Sequence, residues 1–148
     1  MDAMEEFLSR DAAAVTAAFT RDNLGRICTL VRAAGVRAGI APRDIEDLLI
    51  AVSEVATKAI RYAGGVGSIA VRCLGVGLIT EIRDFGPGLP AHTIAAIPSP
   101  GVPVGGGLWR ARLLCKELEI LSSPLGVTVR MFTPCRGAET ARCAGSAP

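Results

Sequence analysis

Ser53-Glu54-Val55-Ala56-Thr57-Lys58-Ala59 and, further along, Asp84-Phe85-Gly86-Pro87-Gly88 are the two stretches on which the reading of this chain turns. The first sits inside an amphipathic helix pattern. Ile45, Leu48, Leu49, Val52, Ala56, Ala59 and Ile60 recur at helical spacing on one broad face, while Asp47, Glu54, Lys58 and Arg61 collect on a narrow opposite one. Ala41-Pro42-Arg43-Asp44 supplies a start, although Asp44 as the cap would leave Pro42 outside the helix, and Gly64-Gly65 supplies a stop. The second stretch closes an apolar strand pattern from Leu78 to Arg83. That strand follows another, Ser68 to Leu74, across Gly75-Val76-Gly77, and so short a glycine-containing link predicts an antiparallel hairpin.

Working outward, Leu24, Ile27, Cys28 and Val31 predict an earlier helix with Asp22 as its cap and Gly39 as its end. Val15 to Phe19 suits a short edge strand. Downstream, Pro87, Pro90, Pro98, Pro100 and Pro103 keep 85–104 mostly in loop, with a helical turn around His92 to Ala96. Loops of that length in compact domains commonly carry function. Gly105-Gly106-Gly107 precedes a helix pattern from Leu108 to Leu118, and Glu119 to Leu121 and Val127 to Phe132 read as strands joined through Ser122 to Gly126. Residues 135–148 read as a flexible tail. This order of elements predicts one α+β domain over 1–148: a two-layer α/β sandwich, its mixed and mostly antiparallel sheet covered by helices on one face.

Composition narrows the function classes. A chain of 148 residues, half of them hydrophobic and 20% charged, builds a sizeable core and is not a disordered partner-binding segment. A net charge of +2 without a Lys/Arg block argues against nucleic acid as a partner. The five cysteines are widely spaced, form no CxxC pair and do not cluster with His92, so free thiols in a reducing compartment are expected and no metal site is assigned. His92 lacks a carboxylate–serine arrangement around it, which gives a triad hydrolase no support. Neither a basic-then-apolar leader nor a membrane-length apolar run is present, which predicts a cytoplasmic protein without membrane association.

The order and placement of these motifs over about Asp22 to Phe132 resemble the ATPase domain shared by histidine kinases, the DNA-gyrase ATPase subunit and the 90-kDa heat-shock chaperone. The likeness is nearest to bacterial anti-sigma factor serine kinases and the switch kinases of stress-response and sporulation partner switching. Their S-E-x-x-x-N-A helix motif is met by Ser53, Glu54 and Ala59, with Lys58 at the asparagine position; their D-x-G-x-G motif is met by Asp84, Gly86 and Gly88. Gly105, Gly107 and Leu108 fit their G-x-G-L. Gly126 and Val129 fit a final G-T-x-V, in which Val127 replaces the threonine. The resemblance implies ATP or ADP as ligand, a sigma factor or an anti-sigma-factor antagonist as partner, serine phosphorylation as the activity, and a homodimer.

For the residues, the resemblance implies that Asp84 accepts the exocyclic amine of adenine and that Gly86 and Gly88 let the backbone turn beneath the base. A tight turn opened by an acidic residue is the plain alternative. Gly105, Gly106, Gly107 and Leu108 would offer backbone amides to phosphate at a helix start, or simply end a lid formed by 89–104. Glu54 takes the place of the general base. It also stands at i,i+4 from Lys58 in the order that favours an ordinary ion pair. Lys58 replaces a neutral ligand of Mg²⁺ with a side chain that has no acceptor, which argues against the metal and leaves a direct phosphate contact open.

Overall fold

The computed structural model describes residues 15–88, 111–115 and 117–136. Its strands are β1 (Val15–Thr20), β2 (Val66–Leu74), β3 (Gly77–Asp84), β4 (Glu117–Ser123) and β5 (Gly126–Pro134); its helices are α1 (Leu24–Arg37) and α2 (Pro42–Tyr62). Residues 111–114 form a further helical turn, closed by the Cys115 N–H donating to the Ala111 carbonyl at 2.8 Å.

The helix containing Ser53 to Ala59 forms as its periodicity predicts, and its start resolves the ambiguity at Pro42. Pro42 is the first helical residue behind an extended Ala41, so Asp44 lies in the first turn and is not the cap. Proline loses nothing there, because the first amides of a helix have no intrahelical acceptor. At the other end Gly64 and Gly65 take φ values of 93° and 87° and turn the chain back into β2. The expected cap of the earlier helix moves. Thr20 caps a short 3₁₀ turn, Arg21–Asn23, accepting from the Asp22 N–H at 3.2 Å, while the Asn23 side chain accepts from the Thr20 N–H at 2.7 Å. Asp22 therefore contributes an amide and not a cap.

The five strands lie in the order β1-β2-β3-β5-β4, and all four pairings are antiparallel, so the sheet is not mixed among the described residues. β1 is the edge strand expected from Val15 to Phe19. Register places Ile69 opposite Ile82, Ile82 opposite Val129, and Thr80 opposite Met131. These residues alternate onto one face and meet Ile27, Val31, Leu48, Val52, Val55 and Ala56 from the helices. A slip of one residue would turn that whole set outward. The other face carries a small cluster of Leu74, Ile79 and Phe132, beside which Arg130 donates to Glu81 at 2.6 Å and approaches Glu119 at 3.5 Å.

Three expectations change. The helix predicted to reach Leu118 stops earlier, since Glu117 and Leu118 already pair with Phe132 and Met131 in the sheet. Cys135 and Arg136, assigned to the tail, are tied down: their N–H groups donate to Val76 and Gly39 carbonyls at 3.0 and 2.9 Å. Cys28, Cys73 and Cys115 are free thiols, but Cys135 is disulfide-bonded. No helix among the described residues is long and apolar enough to cross a membrane.

Candidate nucleotide site

A cleft opens where the C-terminal half of α2 faces the ends of β3 and β5. Val55, Lys58, Ala59 and Ala63 form its helix wall, Ile82, Val127 and Val129 its sheet wall, and Asp84, Pro87 and Gly88 one end. The wall residues on α2 recur at helical spacing from Val55, and the small side chains of Ala59 and Ala63 leave room above the strands. The cleft is a small hollow of about 50 Å³. Among the described residues it is smaller than the usual small-molecule pocket of about 300–1,000 Å³.

Asp84 is held by its own neighbourhood. Its Oδ1 accepts from the Gly86 N–H and from the Val127 N–H, both at 3.0 Å. Its Oδ2 makes no hydrogen bond among the described residues. One oxygen therefore fixes the carboxylate while the other remains available as an acceptor at the cleft. Two glycines make this arrangement possible by close approach. A Cβ on Gly86 would lie 2.6 Å from the Ala63 Cβ, and a Cβ on Gly126, whose φ is 142°, would enter the Asp84 carbonyl oxygen. Gly88 packs on Ser122 and Ser123 at the rim. The glycines thus serve the protein's own packing first, and the turn they form aims Asp84.

The end nearer the start of α2 is different in kind. Ala63 touches Gly86 through that close approach. Lys58 lies five residues back along the helix, about 7.5 Å at a rise of 1.5 Å per residue. Among the described lining residues it is the single cation, and Asp84 the single carboxylate. Glu54 is one further turn away, half-buried and off the cleft lining. Arg61 borders a separate hollow with Arg21, Leu24, Thr57 and Ile60. Val127 presents an apolar side chain to the cleft and its N–H to Asp84, so the replaced threonine belongs to the Asp84 end and not to a phosphate end.

Gly105, Gly106, Gly107 and Leu108, the 89–104 lid, Trp109 and His92 lie outside the described residues. Sequence reading passed over Val55, Ala63 and Ile82 as cleft walls, because their helix and strand periodicities look the same whether a residue meets core or cavity. Burial, with Asp47 and Asp44 adding to it, pushes the Cys115 thiol up to about 12, and the hydrogen bond and charge of Glu46 raise Arg32.

The fold around that cleft, a helix over an antiparallel sheet with an anchored aspartate at one end, defines the class. The chain belongs to the histidine kinase-like ATPase domain family, which matches residues 17–133. It is 34% identical to the serine-protein kinase RsbW of Bacillus pumilus (strain SAFR-032), and 32% identical to the serine-protein kinase RsbW of Bacillus velezensis (strain DSM 23117 / BGSC 10A6 / LMG 26770 / FZB42). Both alignments cover 64% of this chain and 68% of the relative. The fold is similar to that of the catalytic domain of histidine kinase ThkA, with a TM-score of 0.55 and 17% identity over 81% of this chain and 95% of that one. It is also similar to the histidine kinase domain of the Erythrobacter litoralis EL346 blue-light activated histidine kinase, with a TM-score of 0.55 and 21% identity over 91% of this chain and 74% of that one.

Proposed function

We propose that this chain is a regulatory adenine-nucleotide-binding protein of bacterial partner switching, of the anti-sigma factor and serine-kinase type. It takes ATP or ADP in the cleft and engages a sigma factor, or an anti-sigma-factor antagonist that it phosphorylates on serine. The observation that carries the nucleotide reading is the half-satisfied carboxylate of Asp84. A fixed acceptor at the end of an apolar slot selects a flat ring bearing an exocyclic amine, and it disfavours a carbonyl oxygen at the same place. Its relatives' name as serine-protein kinases supports the reaction class.

Titration of the purified chain with ATP, ADP and GTP tests this. Adenine nucleotides are expected to bind with GTP weaker by roughly tenfold or more. Absence of adenine-nucleotide binding sinks the reading.

A second reading has its own support: the protein engages its partner without phosphoryl transfer. Lys58 stands at the position of a metal ligand, and Glu54 is off the cleft lining. Labelled-phosphate transfer to an antagonist bearing an acceptor serine separates the two. Transfer abolished by Glu54→Ala with binding retained supports a kinase. A stable complex without transfer supports the binding module. Sedimentation tests the implied homodimer.

A further inference from the structure

The family's nucleotide chemistry implies Mg²⁺ beside the phosphates, and the described residues do not fit it. Mg²⁺ is held by carboxylate, phosphate and water oxygens in near-octahedral geometry. Lys58 brings three donors and no acceptor. Asp84 has one oxygen engaged by two backbone amides and sits at the other end of the cleft. No group of three or more His, Cys, Asp or Glu is placed to hold a metal ion among the described residues.

We infer that this cleft binds its nucleotide as a metal-free anion, with the Lys58 ammonium taking over the neutralisation of phosphate that a divalent cation would supply. The inference rests on the nucleotide reading above and deepens it by naming the ionic form of the ligand. Lys58 is half-buried on the cleft wall between Val55 and Ala59. An ammonium is a compact point charge suited to phosphate oxygens. Lys58 is already engaged within the chain, so binding exchanges that contact for a phosphate oxygen. A Mg²⁺ ion on the same phosphates would face the ammonium at close range and compete with it for the same oxygens. Free nucleotide is therefore the preferred ligand, and added Mg²⁺ gives no gain in affinity. Charge pairing at an open site also makes the affinity fall with salt.

Calorimetric titration of the whole chain with ADP and with adenosine, each in EDTA and in Mg²⁺, tests the inference. For the native protein, ADP affinity is expected to agree within about twofold between the two conditions, or to be weaker in Mg²⁺. Lys58→Met is expected to lose roughly tenfold in ADP affinity, the scale of one charge-assisted contact, with adenosine affinity unchanged. Lys58→Asn is expected to bind ADP weakly in EDTA and to recover in Mg²⁺. A native affinity that drops by about tenfold or more in EDTA overturns the inference and leaves nucleotide binding standing. So does Lys58→Met binding ADP as tightly as the native chain. Binding of neither ADP nor adenosine by the native chain removes both readings together.

Discussion

The two ends of the cleft are built by different means. At one end Asp84 is fixed by amides from Gly86 and Val127, and two glycines are required by the atoms they touch. At the other end stands Lys58, a long flexible cation half-buried on the helix wall of the cleft. The contrast is physical. A site woven into strand pairing and close packing changes only at a cost in stability. A site carried by one half-buried helix side chain changes more readily, because helix propensity differs little between lysine and other straight-chain residues. Under the proposed nucleotide reading, a pocket of this construction keeps the shape offered to a base while the chemistry at its other end changes.

The largest expected effect breaks the first end. Asp84→Asn keeps an Oδ1 acceptor for the two amides, so the fold survives. The Nδ2 group now meets the incoming amine donor to donor, and ADP affinity is expected to fall by about a hundredfold. Calorimetry alongside a urea melt checks both halves, and an unchanged affinity would detach Asp84 from the base. Next comes Gly126→Ala, which places a methyl group against the Asp84 carbonyl at a φ that alanine resists. A loss of about 2 kcal/mol in unfolding free energy is expected from the strain and collision. A denaturation midpoint equal to the native one would show that this end is less rigid than its contacts indicate.

The other end answers more softly. Lys58→Asn is expected to leave the denaturation midpoint nearly unmoved while turning ADP binding from chelator-indifferent to dependent on Mg²⁺ by roughly tenfold. Smallest is Glu54→Gln, which changes ADP affinity by less than about twofold because the side chain lies off the cleft lining. A large effect of Glu54→Gln on affinity would place it in the binding machinery and erase the separation between catalysis and adhesion.

The helix of Ile45 to Ile60, the hairpin of β2 and β3, and the edge strand at Val15 were legible because each buries one face, and burial of one face writes its period into the sequence. The helix around Leu108 was over-extended because Glu117 and Leu118 read as well in a helix as in a strand. Strand pairing with Phe132 and Met131, far along the chain, overrides that local ambiguity. The cap at Asp22 failed for a similar reason. Thr20 and Asn23 satisfy each other across the 3₁₀ turn, a reciprocal geometry that residue type alone does not distinguish from a single acidic cap. Of the candidate site, Asp84 and Lys58 were found by motif, and the structure brings both to one cleft. Glu54 is on the same helix but off that lining, and the glycines from Gly105 to Gly107 lie outside the described residues.

By itself the sequence determined the helices, most of the strands, and the presence of a carboxylate turn and a lysine in the motif positions, because these depend on neighbours within a few residues. What only the tertiary structure decided is the site. The β3–β5 pairing, made across more than forty residues, brings the Val127 amide to the Asp84 carboxylate, and the packing of Gly86 on Ala63 sets α2 above them. No local rule contains that arrangement, since it is the burial of two faces against each other, and not the preference of any single residue, that holds the two ends of the cleft in place.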